Sequence, residues 1–326
     1  MDERLEKLKS WLNEELGVPA LRIEPASEDA SFRRYFRVST KDGSLIVMDA
    51  PPDKEDCNSF VDVTSRLLDC DLNVPEIVAR NHEQGFLLLS DLGERLYLDE
   101  LSLENADDLY GDAIQALITM QTQASTRDLP EYSESLLQKE MSLFRTWLMD
   151  RHLGLGEDLI SRLESVEAFL LNEVLVQPKV FVHRDFHSRN LLVCENNPGI
   201  IDYQDAVYGP YTYDLVSLLK DSYITWSMEK RLLWTQVFHR KLSEANSAIP
   251  DLTQFKRDFD LMGAQRQLKV GGIFARLYHR DGKSGYLNDI PATLNYLLEL
   301  QNAYPELEEL GHILQSEIMP RLQELA

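Results

Sequence analysis

The sequence predicts an α+β fold in two lobes, a small β-rich one followed by a large, mainly helical one. Segments of alternating apolar residues occur within the first 92 residues, where turns containing Gly and Pro separate them. From Tyr97 onward, apolar residues recur at helical spacing instead. A chain of 326 residues is long enough for two such lobes. We therefore expect an N-terminal lobe over residues 1–92 and a helical C-terminal lobe over residues 93–326.

The N-terminal lobe is predicted to begin with an amphipathic helix over residues 4–16. An Asp42-Gly43 turn joins two antiparallel strands, and Pro51-Pro52 ends the second strand. Residues 27–37 are expected to lie between strands, and the other elements predicted here are a helix over residues 59–68 and strands over residues 74–79 and 85–90. These elements predict a small sheet with one or two helices.

The C-terminal lobe is predicted to be helical except at the stretch that follows Val180. The predicted helices cover residues 104–125, 134–152, 157–175, 212–226, 228–245, 252–280, 290–301 and 306–324. The segment from Phe181 to Asp202 interrupts them with short apolar runs and a turn-rich ENNPG sequence. We therefore expect a β-hairpin at this place in the helical lobe.

Composition restricts the partners and the location of the protein. The net charge is −22, from 33 basic and 55 acidic residues, which argues against binding nucleic acid or an anionic membrane. The charged N-terminus lacks the apolar core of a signal peptide, and no apolar run is long enough to span a membrane. Three cysteines without a disulfide framework are typical of a reducing compartment. We expect a cytoplasmic monomer whose partners are small molecules.

The predicted hairpin brings together residues suited to phosphoryl transfer. Asn190 precedes its first strand, Asp202 lies on its second strand, and Asp185 lies in the loop just before. A carboxamide and a carboxylate offer hard oxygen ligands to Mg²⁺ that bridges nucleotide phosphates. A nearby carboxylate can orient and deprotonate a hydroxyl nucleophile. We expect Asp185 to be the catalytic base, with Asn190 and Asp202 as the metal ligands.

The spacing of these residues is that of protein-kinase catalytic loops, H-R-D-x-x-x-x-N followed by a metal-binding Asp. The residues after Asp202 are Tyr203 and Gln204 rather than Phe and Gly. One alternative is that the polar residues cap turns and pack in a core. Another is a zinc site formed by His183, Asp185 and His187, although no fourth ligand is evident.

The N-terminal lobe supplies an unusual segment for binding the nucleotide. Residues 27–37 read SEDASFRRYFR and contain no glycine, so a Gly-rich phosphate loop is absent. Met48 occupies the strand position where a kinase places its lysine. The residues we expect to contact ATP in this segment are Ser31, Phe32, Arg33 and Arg34, either arginine compensating for Met48. A solvated, positively charged hairpin is the alternative.

The apolar run that ends at Gly93 is predicted to hold the adenine. A strand that ends in a connector can offer backbone groups to the adenine edge between apolar walls. Leu89 and Asp91 are the candidate residues in the FLLLSDLG sequence. A buried core strand would have the same composition.

Candidate residues for binding the acceptor occur around and after the catalytic loop. Five residues belong to this set: His187, Arg189, Asp205, Arg266 and Lys269. The basic residues of the late helix could instead form a solvated face. Asp214 precedes an apolar helix, and we expect it to cap that helix or to anchor the catalytic loop.

The sequences HRDFHSRN and IDYQDAVYGPYTYDLVSLL resemble the aminoglycoside phosphotransferase family. The resemblance implies a protein-kinase-like bilobal fold, ATP and Mg²⁺ as cofactors, and the same roles for Asp185, Asn190 and Asp202. The sequences DASFRRYFRV, IVMDAPP, FLLLSDLG and QLKVGGIFARLYHRDGK are similar to one branch, the anomeric N-acetylmuramate/N-acetylglucosamine kinases of cell-wall recycling. In that branch Met replaces the strand lysine, and the product is a sugar α-1-phosphate.

Three other functions are compatible with parts of the sequence. A phosphotransferase could act on a different hydroxyl, such as that of an aminoglycoside, homoserine or choline. The missing Gly loop and Met48 would suit a nucleotide-binding pseudokinase, although the three acidic and amide residues argue against it. A protein kinase is disfavoured because no A-P-E signature follows Asp202.

Overall fold

The computed structural model describes residues 2–27 and 32–325. The chain groups into two compact units, Met1–Glu100 with Asn190–Asp205, and Leu101–Arg189 with Ala206–Ala326. The strands are β1 Arg22–Ser27, β2 Arg34–Thr40, β3 Gly43–Asp49, β4 Ile77–Asn81, β5 Phe86–Ser90, β6 Lys179–Val182, β7 Leu191–Leu192, β8 Gly199–Ile200 and β9 Val207–Pro210. The first unit is rich in strands and the second is mainly helical, which confirms the predicted fold class.

The helices of the described chain follow the predicted order. They are α1 Glu3–Ser10, α2 Cys57–Leu68, α3 Tyr97–Glu100, α4 Ala106–Gln123, α5 Glu134–Leu143, α6 Glu157–Ser161, α7 Glu164–Leu175, α8 Tyr213–Leu219, α9 Met228–Ala245, α10 Leu252–Asp281, α11 Ile290–Leu298, α12 Glu308–Ile313 and α13 Met319–Leu325. Short π-helical turns extend α1, α5 and α12, and 3₁₀ turns precede α11 and α12. Within residues 2–27 and 32–325, no helix is both long and apolar enough to cross a membrane.

The first unit is built on an antiparallel sheet with the strand order β1-β2-β3-β5-β4. β2 and β3 pair from Arg34↔Asp49 to Thr40↔Gly43, so the predicted hairpin forms, with its turn at Lys41-Asp42 and Gly43 as the first residue of β3. Because side chains alternate across a strand, this register gives each face of the sheet a different set of residues. Phe36 and Val47 lie on one face, whereas Met48 lies on the other.

The N-terminal helix covers the face that carries Phe36 and Val47. Leu8, Trp11 and Leu12 are buried against these two residues. A buried carboxylate adds a polar anchor, since Asp49 Oδ1 accepts a hydrogen bond from Arg4 Nε at 2.8 Å. Hydrophobic burial and this anchor together fix the helix on the sheet.

The β7–β8 hairpin forms as predicted, with Leu191 opposite Ile200. A Cβ at Gly199 would lie 3.1 Å from Cys194 Sγ and 3.2 Å from Leu92 Cδ1, so a larger residue would make these side chains shift slightly. The sequence placed the hairpin in the helical lobe, but its contacts place it in the first unit. Backbone hydrogen bonds explain the difference, because Ile200 N donates to Asn73 O at 2.8 Å.

The second unit is organised around α10, whose middle turns are buried among α5, α7, α8 and α11. A Cβ on Gly272 would lie 2.3 Å from the carbonyl carbon of Leu143, so glycine allows α5 to approach α10 closely. β6 pairs with β9, a strand that the sequence analysis did not predict. The helices predicted over 157–175 and 212–226 are interrupted after Ser161 and end at Leu219, respectively.

Candidate active site

The catalytic loop leaves β6 in the second unit and is held by a buried carboxylate on α8. Asp214 accepts hydrogen bonds from the backbone N–H groups of His183 at 2.7 Å and Arg184 at 2.9 Å. Burial raises the pKa of Asp214 to about 7, although the two N–H donors act to lower it. The expected role of Asp214 as an anchor of the loop is confirmed. Its alternative role as a helix cap is not seen, because Thr212 occupies the cap position.

Arg184 has a backbone φ of +79°, a left-handed conformation that is uncommon for a residue with a side chain. Its guanidinium forms an ion pair with Glu140, which is buried. Lys269 Nζ also contacts Glu140, at 3.1 Å, and donates to the hydroxyl of Tyr213 at 2.8 Å. One carboxylate thus holds two cations, and we call Glu140, Arg184 and Lys269 the ion cluster.

Asp185 is the next residue in sequence after Arg184 of the ion cluster, and it is half-buried. Burial acts to raise its pKa, but the positive charges of Lys269 and Arg184 help to bring it below its ordinary value. Asp185 is therefore ionised at neutral pH, the state that a hydroxyl-orienting base requires.

The two predicted metal ligands come together in the first unit. Asn190 Nδ2 lies 3.2 Å from Asp202 Oδ2, and Gln204 Nε2 donates to Asp202 Oδ1 at 2.8 Å. Asp202 lies two residues beyond β8, with a φ of +65°, rather than on the strand as predicted. This left-handed residue redirects the chain after β8.

One carboxylate and one amide oxygen fit a Mg²⁺ ion that takes its remaining ligands from water and nucleotide phosphates. In the part of the chain that the structure describes, no group of three or more His, Cys, Asp or Glu residues could hold a metal ion. The zinc alternative for His183, Asp185 and His187 therefore has no support.

The nucleotide-binding candidates of the first unit have different environments, and Ser31 lies outside the described residues. Phe32 N donates to Glu55 at 3.3 Å, and Arg33 Nε donates to the same carboxylate at 3.0 Å. Arg34 pairs with Asp49 on the sheet face opposite Met48. Arg33 lies just before β2, and its guanidinium is paired with Glu55.

The two candidates for adenine binding also differ. Leu89 is buried in β5, on the same sheet face as Met48. The side chain of Asp91 pairs with Arg37 at 2.6 Å and accepts a hydrogen bond from Gly93 N at 2.9 Å. The carboxylate of Asp91 thus shapes the connector after β5.

The acceptor candidates of the second unit lie beside aromatic residues that the sequence analysis missed. The Arg189 guanidinium lies 3.7 Å from the centre of the Tyr223 ring, and the His187 ring meets the same tyrosine edge-on. Phe274 packs against Tyr223 and stacks on Tyr286. We call Tyr223, Phe274 and Tyr286 the aromatic cluster. Only their proximity in the fold identifies them, because they are far apart in sequence.

Burial lowers the pKa of His187 below its ordinary value, so the imidazole is neutral at pH 7. Its backbone N–H donates to Asp185 O at 3.1 Å. The next residue, Ser188, donates through both N and Oγ to Asp221. These bonds fix the loop that carries Asp185.

The fold and these residues define a kinase-like phosphotransferase. Residues 22–248 match the Phosphotransferase enzyme family, and the chain belongs to this family. It is 44% identical, over 97% of both chains, to the N-acetylmuramate/N-acetylglucosamine kinase of Pseudomonas aeruginosa. A protein of the same name from Neisseria meningitidis is 40% identical, over 96% of this chain and 95% of that one.

Solved structures of the same fold include more distant proteins. The choline kinase LicA from Streptococcus pneumoniae aligns with a TM-score of 0.65 and 12% identity, covering 91% of this chain and 100% of that one. The ADP-bound aminoglycoside phosphotransferase APH(2'')-Ib aligns with a TM-score of 0.60 and 16% identity, covering 91% and 98%. These likenesses confirm the predicted kinase-like fold.

Proposed function

We propose that the protein is an ATP-dependent kinase that phosphorylates the anomeric hydroxyl of N-acetylmuramate and N-acetylglucosamine to give α-1-phosphates. The observation that carries the choice of sugar is the 44% identity to a kinase of that name over nearly the whole chain. The ionised Asp185 and the Asn190–Asp202 pair support phosphoryl transfer to a hydroxyl. A cytoplasmic monomer acting in cell-wall recycling belongs to the same proposal.

In the proposed reaction, Asp185 orients the anomeric hydroxyl and accepts its proton. The sugar oxygen forms a bond to the γ-phosphorus of ATP, and the bond from that phosphorus to the bridging oxygen breaks to release ADP. Asn190 and Asp202 would hold Mg²⁺, which when bound supplies charge neutralisation for the phosphates. We propose that Ser31, Phe32, Arg33 and Leu89 contact the nucleotide, within an N-terminal lobe of residues 1–92.

Acceptor binding is assigned to the C-terminal lobe over residues 93–326. His187 and Arg189 adjoin the aromatic cluster, which supports their proposed contacts with the sugar. Lys269 is buried in the ion cluster, and we propose that it positions Asp185 instead of touching the sugar. Asp205 lies near Arg33 in the first unit, where its charge acts on the guanidinium.

The sugar assignment is tested by following ADP release with a panel of acceptors. We expect turnover with N-acetylmuramate and N-acetylglucosamine, and none with choline, homoserine or an aminoglycoside. The methyl glycoside of N-acetylglucosamine is the matched control, since it lacks the free anomeric hydroxyl. Turnover with the methyl glycoside, or with none of the sugars, would contradict the proposal.

Replacing Asp202 by asparagine is expected to weaken Mg²⁺-dependent ATP binding by at least about 10-fold, because an amide replaces the carboxylate that Mg²⁺ prefers as a ligand. Asparagine tolerates the left-handed backbone of this position, so the effect reports on charge rather than strain. Isothermal titration calorimetry with and without Mg²⁺ measures it. Asp71→Asn is the matched control, because Asp71 has a φ of +57° and lies in the same unit. An unchanged affinity in Asp202→Asn would remove Asp202 from the metal site.

A further inference from the structure

Arg266 is a buried cation with unsatisfied donors. It lies in the middle of α10 with only 4% of its surface exposed. Its Nε and Nη1 atoms are closed off from solvent and have no hydrogen-bond acceptor among the described residues. Burying charged donors without acceptors costs free energy, so such a group is retained where it serves a purpose other than stability.

Other buried cations of the second unit have carboxylate partners. Arg231, also nearly buried, donates to both oxygens of Glu299 at 2.9 and 2.7 Å. Lys269 contacts Glu140 from the same helix as Arg266. Buried cations are thus paired with carboxylates at these positions, as is usual for buried charges, and Arg266 is an exception.

Asp214, an acid on which the charge of Arg266 acts, does not provide a full counter-charge for it. Asp214 is close enough for the two charges to interact, but its two oxygens already accept hydrogen bonds from the catalytic loop. Burial also favours the neutral form of that carboxyl group. The charge of Arg266 also acts on His187 and Tyr223, and neither of these two is an anion at neutral pH.

Arg266 lies on α10 near both the ion cluster and the aromatic cluster of the candidate site. Lys269 of the ion cluster follows one turn later, and its charge acts on the catalytic Asp185. Phe274 of the aromatic cluster follows two turns later and contacts Tyr223, whose ring also lies near Arg266. A sugar that rests on the aromatic cluster while its hydroxyl faces Asp185 would present its other substituents toward Arg266.

We propose that Arg266 binds a carboxylate carried by the acceptor sugar and is the residue that selects acidic over neutral amino sugars. This inference rests on the proposed sugar kinase function. A guanidinium matches a carboxylate with paired, charge-assisted hydrogen bonds. N-acetylmuramate carries a carboxylate, whereas N-acetylglucosamine does not. Arg266 therefore contributes to the binding of the first sugar and not of the second.

The test compares the two sugars in Arg266→Met, Arg266→Lys and wild-type protein. For Arg266→Met, KM for N-acetylmuramate rises about 10- to 100-fold, the range for hydrogen bonds to charged groups. For the same variant, kcat/KM for N-acetylglucosamine stays within about 3-fold of the wild-type value. For Arg266→Lys, KM for N-acetylmuramate lies between the values of the wild type and of Arg266→Met. Arg280→Met is the matched control, because Arg280 lies on the same helix in an exposed pair with Asp281.

The midpoint of thermal unfolding distinguishes this role from a purely structural one, because loss of a structural residue would lower the midpoint. Arg266→Met removes a buried charge whose Nε and Nη1 atoms have no hydrogen-bonded partner within the described chain, so the midpoint of the variant stays equal to or above that of the wild type. A large decrease, together with equal losses on both sugars, would show that Arg266 supports the fold and would overturn the proposal. Unchanged kinetics on both sugars would overturn it as well.

Binding measurements separate this inference from the proposed function. Calorimetry uses wild-type and Arg266→Met protein with each sugar in the absence of ATP, so no turnover occurs. Loss of N-acetylmuramate binding with retained N-acetylglucosamine binding supports the role of Arg266. If wild-type protein transfers phosphate to neither sugar, the kinase proposal fails. If wild-type protein phosphorylates both sugars while Arg266→Met binds both normally, only the role of Arg266 fails.

Discussion

Replacing Asp185 by asparagine is expected to lower kcat by about 10²- to 10⁴-fold, the usual contribution of a positioned general base. The amide keeps the size of the side chain but cannot accept the proton of the acceptor hydroxyl. KM for ATP should change little, because Asp185 is not among the residues assigned to the nucleotide. Steady-state kinetics with N-acetylglucosamine would measure both constants.

The environment of Asp185 makes this result informative. Lys269 and Arg184 help to keep the carboxylate ionised, so the wild-type side chain is ready to accept a proton at neutral pH. Asp108→Asn, an exposed substitution on α4 of the same unit, is the control and should leave kcat unaltered. If Asp185→Asn retains wild-type turnover, Asp185 is not the base.

Replacing Glu140 by glutamine is expected to reduce the free energy of unfolding by about 3 to 5 kcal/mol, the cost of breaking a buried ion pair from one side. The change leaves Arg184 and Lys269 buried without their shared carboxylate. Urea denaturation followed by circular dichroism would measure the loss. Glu134→Gln is the matched control on the same helix, and its exposed side chain predicts a change within about 0.5 kcal/mol.

The loss should also depend on pH. Burial acts to raise the pKa of Glu140, but Lys269 and Arg184 outweigh it and lower the pKa below its ordinary value of 4.5. The stabilisation by Glu140 is therefore fully present above about pH 4.5 and is lost as the pH falls through the lowered pKa of the folded state. The difference between wild type and Glu140→Gln should shrink on acidification. A difference below about 1 kcal/mol at pH 7 would contradict the role of the ion cluster.

The fold class and the longest helices could be predicted because they are encoded by local periodicity. The helix over 228–245 has the predicted bounds, and the one predicted over 252–280 ends one residue later. Elements that depend on distant partners were harder to predict. β9 is only four residues long and exists as a strand because it pairs with β6. Tertiary pairing of this kind leaves no periodic signal in the sequence.

The candidate site also contains residues that the sequence could predict and residues that only the tertiary structure brings together. Asp185, Asn190 and Asp202 occupy one short segment, so motif spacing alone could bring them into a hypothesis. Glu140 and Tyr223 lie tens of residues away, and their proximity to the catalytic loop is a result of helix packing. Lys269 was among the residues predicted to bind the acceptor, because a cation of the late helix could either form a solvated face or line the substrate pocket. Its burial beside Glu140 could not be read from the sequence.

The left-handed backbone of Arg184 also constrains how the family can diverge at this position. Glycine is the residue that adopts this conformation at least cost. Glycine at position 184 would relieve the backbone but would remove one of the cations that balance Glu140. The carboxylate of Glu140 would then keep Lys269 as its partner in the ion cluster, so the two positions are coupled through the Arg184 contact alone. Covariation between these sites would then record, across sequences, a contact that links the catalytic loop to α5.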